Sequence, residues 1–291
     1  MNLITFDIEE WYIEQLHNDR AEKYAKYDRY LEAILDKLDD RKLKATFFCV
    51  GEMGRLFPNV IKKIYTHGHE IGCHSNTHAW LNKMNEAECR EDTHRAVDSL
   101  EQYIGKKVKS YRSPAFSIGE KNKWAIEILA ENGIERDASI FPAARDFGGF
   151  PNFGQKTPCI VEYGGTRLKE FPVCTTQVMG KEMAYSGGGY FRFFPLGFVE
   201  KEMKKSPYTM CYFHIGDLIP ESHGVMSKEA YEAYFKEPGT LKARYMRYLK
   251  SNFGKKNAFQ KMMRLIDEMV FVNLQQADES IDWAAATVVT L

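Results

Sequence analysis

Apolar positions along this chain switch between two rhythms. Leu3-Ile4-Thr5-Phe6 is a short run that reads as a buried strand. Between Asp28 and Leu38, the residues Leu31, Ile34, Leu35 and Leu38 recur at helical spacing. Ala45 to Gly51 reads as a second buried strand. Val60, Ile61 and Ile64 mark a short helix closed at Gly68, and Glu70-Ile71-Gly72-Cys73 the next strand. Asn85 with Glu88 three residues on has the form of a capping box. It would open a helix that buries Ala96, Val97, Leu100 and Ile104 and stops at Gly105. Val108 to Tyr111 is a strand, and Trp124, Ile128 and Leu129 belong to a helix stopped by Asn132-Gly133. Farther on, Leu168 to Val173 and Met210 to Phe213 read as strands, and Phe259, Met262, Met263 and Ile266 as a long helix. Val270-Phe271-Val272 is expected as a final strand, followed by a C-terminal helix through Trp283. Strand and helix alternate about every 30 to 40 residues, which predicts an α/β fold of parallel strands with crossover helices. In such folds sites gather at the C-terminal ends of the strands.

The rhythm breaks between Phe141 and Pro195. This stretch carries Phe147-Gly148-Gly149-Phe150 and Gly187-Gly188-Gly189-Tyr190-Phe191-Arg192. It is expected to be a Gly/aromatic-rich insertion (about 141–195) over the site, within a single domain spanning 1–291. Gly-freed backbone and aromatic faces suit sugar rings, and loop packing is the competing explanation. The charged segment from Lys236 to Lys256 is expected to be exposed.

Composition narrows the classes. Lys+Arg and Asp+Glu are both 40, so no overall field draws the chain to nucleic acid. The 6 cysteines are scattered with no Cys-x-x-Cys pair, as expected of small buried hydrophobes in a reducing compartment. The chain opens on Asn2-Leu3-Ile4 without a basic, apolar and small-residue leader pattern, which points to the cytoplasm. No apolar run approaches the roughly 18 residues of a transmembrane helix.

Candidate chemistry begins with His74 and His78. Four residues apart, on a helical turn or a loop of similar pitch, their rings share a side and form half of a transition-metal site. A surface coincidence is the alternative. Asp7 and Glu9 follow the first strand and, by strand alternation, project to one side. They are either a solvated strand end or a metal ligand beside a general base.

Five separated pieces carry a family likeness: Thr5-Phe6-Asp7-Ile8-Glu9-Glu10, His74-Ser75-Asn76-Thr77-His78, Arg112-Ser113-Pro114, Asp137-Ala138-Ser139-Ile140-Phe141-Pro142 and Phe213-His214. In order and spacing the chain resembles the polysaccharide deacetylases of the NodB-homology type, carbohydrate esterase family 4. With Glu170-Phe171-Pro172 and the Gly187–Arg192 run it looks like the exopolysaccharide-associated branch. The resemblance implies a distorted (β/α) barrel, usually of seven strands, and one divalent metal: zinc first, with cobalt, nickel or iron as alternatives. It implies Asp7 as general base, Arg112 as its partner and His214 as general acid. His74, His78 and an acidic residue of the first motif would be the metal ligands. The family's common pattern there is two adjacent aspartates and a glycine. This chain departs from it with Asp-Ile-Glu-Glu, so Glu9 is expected as the ligand, with Glu10 in reserve. Ala115 (through its N–H), Trp80, Glu170, Tyr190 and Arg192 are expected to meet substrate. The carboxylate that orients His214 is left open among Asp217, Asp137 and Glu170. His17, His67, His69, His94 and His223 have no counterpart in these motifs.

The chemistry is self-consistent. Hydrolysing an amide needs an activated water, a stabilised oxyanion and a proton for the leaving amine. The expected partner is an N-acetylated glycan or glycan precursor, with no nucleic acid and no transmembrane segment. Two other readings remain: the same fold acting on a small cyclic amide or ureide, and an inactive carbohydrate-binding relative.

Overall fold

The computed structural model describes residues 1–14, 20–145, 148–221, 224–235 and 237–291. His17, Phe147, His223 and Lys236 lie outside the described residues.

Eleven strands occur among the described residues: β1 (Asn2–Ile8), β2 (Thr46–Cys49), β3 (Glu70–Cys73), β4 (Ser110–Tyr111), β5 (Arg136–Asp137), β6 (Cys159–Tyr163), β7 (Thr166–Glu170), β8 (Thr175–Val178), β9 (Lys181–Ala184), β10 (Thr209–His214) and β11 (Val288–Thr290). Nine form one sheet in the order β10-β1-β2-β3-β4-β5-β7-β6-β11, and β8 pairs with β9 in a separate hairpin. From β10 to β7 every neighbouring pair is parallel, and only β6 with β7 is antiparallel. Beyond β7 the chain meets β10 through side chains. The Tyr208 hydroxyl donates to the Pro172 carbonyl at 3.0 Å, and the Met210 N–H reaches Cys174 Sγ at 3.2 Å. The result is an α/β fold wrapped as a distorted barrel.

β1 is buried between β10 and β2, where Ile4, Thr5 and Phe6 supply β-branched and aromatic side chains that pack on both faces of a parallel sheet. Phe6 stacks on Phe47 at 4.9 Å between ring centroids and tilts against Phe213 at 5.8 Å. The helix Arg20–Asp40 buries Leu31, Ile34, Leu35 and Leu38, the stripe read from sequence. The helix Glu86–Ile104 starts on the reciprocal Asn85/Glu88 box and ends with Gly105 at φ 67°. All six cysteines are buried and free.

Three expectations change. Val270–Val272 is not a ladder strand: Val272 forms an isolated bridge to Leu3, and the last strand is β11. The C-terminal helix ends at Ser280, and Trp283 turns back to pack on Phe171 at 5.6 Å. The segment 141–195, expected as an insertion, is instead part of the framework. It contributes β6 and β7 to the main sheet, besides the β8–β9 hairpin and the helix Gly188–Phe193. No helix among the described residues is long and apolar enough to cross a membrane.

Candidate metal centre and active site

The register that places β1 between β10 and β2 sets Asp7 opposite His214. Just past the end of β3, the chain turns through Ser75 (φ 62°) and His78 (φ 57°). These left-handed conformations are unfavourable for residues other than glycine, asparagine and aspartate. The turn is held from behind. Asp92 accepts the Asn76 N–H at 2.9 Å, and the Gly51 N–H donates to the Ser75 carbonyl at 2.9 Å. Gly51 is needed there, since a Cβ would lie 2.6 Å from Ala96 Cα and 2.7 Å from Asn76 Oδ1. Burial raises Asp92, and hydrogen bonds from Asn76, Ser75 and Thr77 offset part of that rise. Asp92 carries no motif in the sequence, since its only signature is a position on the helix Glu86–Ile104 that faces the loop.

Glu9, His74 and His78 offer three ligand atoms within 4.8 Å of one another. His74 Nδ1 lies 2.7 Å from the Arg112 carbonyl, so Nδ1 carries the proton and Nε2 is the free lone pair. His74 Nε2 and Glu9 Oε2 are both buried without a hydrogen-bond partner. They lie 3.5 Å apart, and His78 Nε2 is 2.6 Å from Glu9 Oε2 without hydrogen-bond alignment. Orphaned buried donor atoms are costly unless something satisfies them. Two imidazole nitrogens and a carboxylate fit a zinc-like divalent ion better than calcium or magnesium. Burial opposes ionisation of Glu9, yet His78, His214 and the adjoining His74 ring hold its carboxyl well below the ordinary value. Glu10 points elsewhere. Its Oε1 accepts the Gly216 N–H at 2.5 Å, and burial together with Glu9's charge pushes its pKa up to about 7. The carboxylate at the histidine pair is therefore Glu9.

Beside this cluster Arg112, fully buried, donates to Asp7 Oδ1 at 2.7 Å and Thr5 Oγ1 at 2.9 Å. Its guanidinium lies over the Phe48 ring at 4.2 Å. His214 Nε2 is 3.6 Å from Asp7 Oδ2 and 3.8 Å from Glu9 Oε1. Its Nδ1 is 3.3 Å from Asp217 Oδ2. Of the three carboxylates left open, Asp217 is the one that meets His214. Burial works against the imidazolium, but Glu9, Asp217 and Asp7 outweigh it and push the ring's pKa up to about 10. Burial likewise opposes ionisation of Asp217, yet His214 and Arg192 bring it down to about 2.

Two expected substrate contacts are corrected. Glu170 is fully buried, because β5 and β7 pair Asp137 with Glu170. Its Oε1 accepts the Ile140 N–H at 3.0 Å, and Glu170 Oε2 and Asp137 Oδ2 are left without other partners. Burial, then the Asp137 charge, raises Glu170 well above the carboxylate range. Asp137 is pushed by burial to about 6. Both shifts favour a proton held between the two carboxyls, and the pair lies inside the fold rather than at a substrate surface. Arg192 does not face substrate either: it reaches Asp217 Oδ1 at 3.3 Å and the carbonyls of Ser251 and Lys250 at 2.7 and 3.0 Å. Trp80 packs edge-on against Tyr234 and Phe235 at 6.3 and 6.1 Å. Tyr190 lies partly buried beside Phe141, at 6.1 Å between ring centroids. Ala115 sits at φ 55° in the turn after β4, its carbonyl held by Arg145 at 2.9 Å. Tyr234 is an unforeseen neighbour, its phenol raised by desolvation and by Glu9's charge.

The buried Asp137–Glu170 pair makes stability depend on pH. Both carboxyls have raised pKa values, so the stability they confer is complete below their unfolded values near pH 4. It is lost as pH rises through the folded ones. Glu170→Gln keeps a donor toward Asp137 without needing the proton. The variant should lose less stability than the parent between pH 5 and pH 9, by on the order of 1–3 kcal/mol, in urea denaturation at each pH. Equal slopes would show that the pair does not share a proton. Catalytic activity at pH 6 should be unchanged.

The assembled features define a class: a parallel α/β barrel with a two-histidine, one-carboxylate cluster at its C-terminal strand ends, flanked by a buried Asp–Arg pair and a histidine. Residues 3–136 match the family model described as polysaccharide deacetylase, and residues 138–279 one described as a domain of unknown function, DUF3473. The chain thus matches the polysaccharide deacetylase model along its N-terminal part and the DUF3473 model along its C-terminal part. A peptidoglycan-N-acetylglucosamine deacetylase of Bacillus cereus is 42% identical over 95 residues, 32% of this chain and 34% of that protein. An uncharacterised Bacillus subtilis protein, YlxY, is 36% identical over 36% of this chain and 32% of its own length. These alignments span about a third of the curated relatives. A Mycobacterium smegmatis structure, provisionally named a polysaccharide deacetylase, aligns over 100% of this chain and 92% of its own at TM-score 0.62 and 19% identity, a likeness of fold. The PuuE allantoinase aligns over 96% of this chain and 88% of its own at TM-score 0.56 and 13% identity.

Proposed function

We propose that this chain is a metal-dependent hydrolase that removes N-acetyl groups from a saccharide or glycan precursor. The observation that carries the reading is the convergence of unpartnered Glu9 Oε2 and His74 Nε2 with His78, beside Asp7 and His214. A divalent ion held there supplies Lewis acidity, which polarises an amide carbonyl and acidifies water. Asp7, aimed by its hydrogen bond from Arg112, takes the water's proton. The Ala115 N–H, in the strained turn after β4, is the backbone group that would donate to the developing oxyanion. His214 gives its Nε2 proton to the departing amine, while Asp217 holds Nδ1 and fixes the ring's orientation. Against the opposing effect of burial, Glu9, Asp217 and Asp7 keep a proton on the His214 ring for that step. Tyr234, close enough to feel Glu9's charge, and Trp80 packed against it are the aromatic candidates for contact with the sugar.

The test is acetate release from N-acetylglucosamine oligomers by metal-stripped protein resupplied with zinc, cobalt or nickel. Metal-restored release supports the reading. Stoichiometric metal without release, but with turnover of a cyclic ureide, moves the chain to the small-amide alternative. Failure to bind any divalent ion sinks the enzyme reading.

Asp217→Asn should lower kcat by about 10–100-fold with KM little changed, as for loss of an outer partner that orients a reacting group. Arg192→Met should act in the same direction and more weakly. A change confined to KM would instead place these residues at the sugar.

A further inference from the structure

The helix Leu241–Asn252, whose first turn is capped by the Thr240 side chain, buries none of its residues. Its outward face is apolar. Leu241 is 71% exposed, Tyr245 51%, Met246 45%, Leu249 42% and, at the C-cap, Phe253 58%. Phe193, 56% exposed, extends the patch through its ring contact with Phe253 at 5.7 Å. A contiguous apolar patch of this kind on a soluble domain marks a docking surface. Its charge is equally one-sided. From Leu241 to Ile266 the chain has eight Lys/Arg and no Asp/Glu, although the whole sequence has 40 of each. Lys242 and Lys250 on the helix and Lys256 after it are exposed, whereas Arg244 is turned to the carbonyls of Gly239 and Met226, Arg247 lies over the Phe235 ring and Lys255 is buried. The nearby Glu232 carboxylate is occupied by the Gly239 N–H at 2.9 Å and by Lys228 at 4.0 Å.

We propose that this helix seats the protein on an anionic lipid bilayer. An exposed row of Leu, Tyr, Met and Phe bordered by cations is the composition that settles at a headgroup boundary. The same cations argue against a second copy of the chain, because a two-fold contact would set like charges face to face. The surface adjoins the site described above. The carbonyls of Lys250 and Ser251, at the end of this helix, accept from Arg192, which also pairs with Asp217 beside His214. Bilayer docking would therefore hold the site mouth near lipid headgroups, where a saccharide carried on a membrane lipid is presented. The binding claim itself stands independently of the hydrolase reading.

The experiment is co-sedimentation of the full chain with phosphatidylcholine vesicles, with or without phosphatidylglycerol. Salt would be varied from about 0.1 M to about 1 M, which shortens the screening length from about 10 to about 3 Å. Binding should require phosphatidylglycerol and fall with salt. Tyr245→Ser with Leu249→Ser and Phe253→Ser should abolish it. Lys242→Glu with Lys256→Glu should weaken it by on the order of tenfold or more. Unchanged circular dichroism and melting midpoints would show that both variants fold, as expected for exposed side chains. Absence of binding to anionic vesicles overturns the proposal. So does equal binding to both vesicle types, or a solution dimer that the serine variant dissociates.

Discussion

Asp7→Asn should lower acetate release by about 10²–10⁴-fold, the range a positioned general base contributes, while leaving metal binding intact. It should also destabilise the fold, and the two effects have separate causes. Arg112 is fully buried and Asp7 is 2% exposed, so an uncharged partner leaves a guanidinium without compensation in the interior. Breaking such a pair costs about 3–5 kcal/mol. The asparagine amide oxygen still accepts from Nη1 and keeps the loss toward the lower end. Pairing the change with Arg112→Met separates stability from catalysis. The guanidinium is gone, Phe48 packs against an apolar chain, and Thr5 Oγ1 still donates to the Cys211 carbonyl at 2.7 Å. His74 is undisturbed because it is held by the Arg112 main chain. The double variant should regain part of the stability in urea denaturation and none of the activity. If activity returned with stability, Asp7 would be a structural ion-pair partner and the base would lie elsewhere.

The elements were legible where local physics decides them. The Asn85/Glu88 box, the stop at Gly105 and the stripe Leu31–Leu38 depend on neighbours a few residues away. The gathering of Asp7, Glu9, His74, His78, Arg112 and His214 is long-range instead, and was legible only through the ordered motifs and the inference of parallel strands. Glu170 and Arg192 misled because burial is a long-range property. Glu170 turned inward because β5 and β7, not sequential strands, lie side by side and match it with Asp137. Arg192 is captured by carbonyls 58 and 59 residues on. Asp217 was one candidate among three. Only the turn from strand β10 directly into the helix Ile215–Leu218 brings its carboxylate back to His214. Tyr234 has no motif, and its approach to Glu9 depends on how the helix Lys228–Phe235 packs. Val270–Val272 has β-prone residues, but its backbone bonds serve only Asn2 and Ile4, and the ladder goes no farther.

His78→Asn should remove metal-dependent activity altogether and, more tellingly, remove metal-dependent stabilisation. Asparagine is the informative replacement because position 78 is held at φ 57°, which asparagine tolerates and alanine does not. The variant therefore tests the imidazole rather than the turn. An ion that binds only the folded state raises stability by about 2.7 kcal/mol at a hundredfold excess over its Kd. The parent's melting temperature should rise with zinc, and that of the variant should not. His74→Ala should abolish the zinc response too, but with a loss of metal-free stability, since it also deprives the Arg112 carbonyl of its donor at 2.7 Å. The two histidines thus predict different signatures from one assay. His78 reads out ligation almost alone, and His74 reads out ligation together with the anchoring of the strand that carries Arg112. An undiminished zinc response in both variants would mean that the ion binds away from Glu9, and the proposed centre would have to be abandoned.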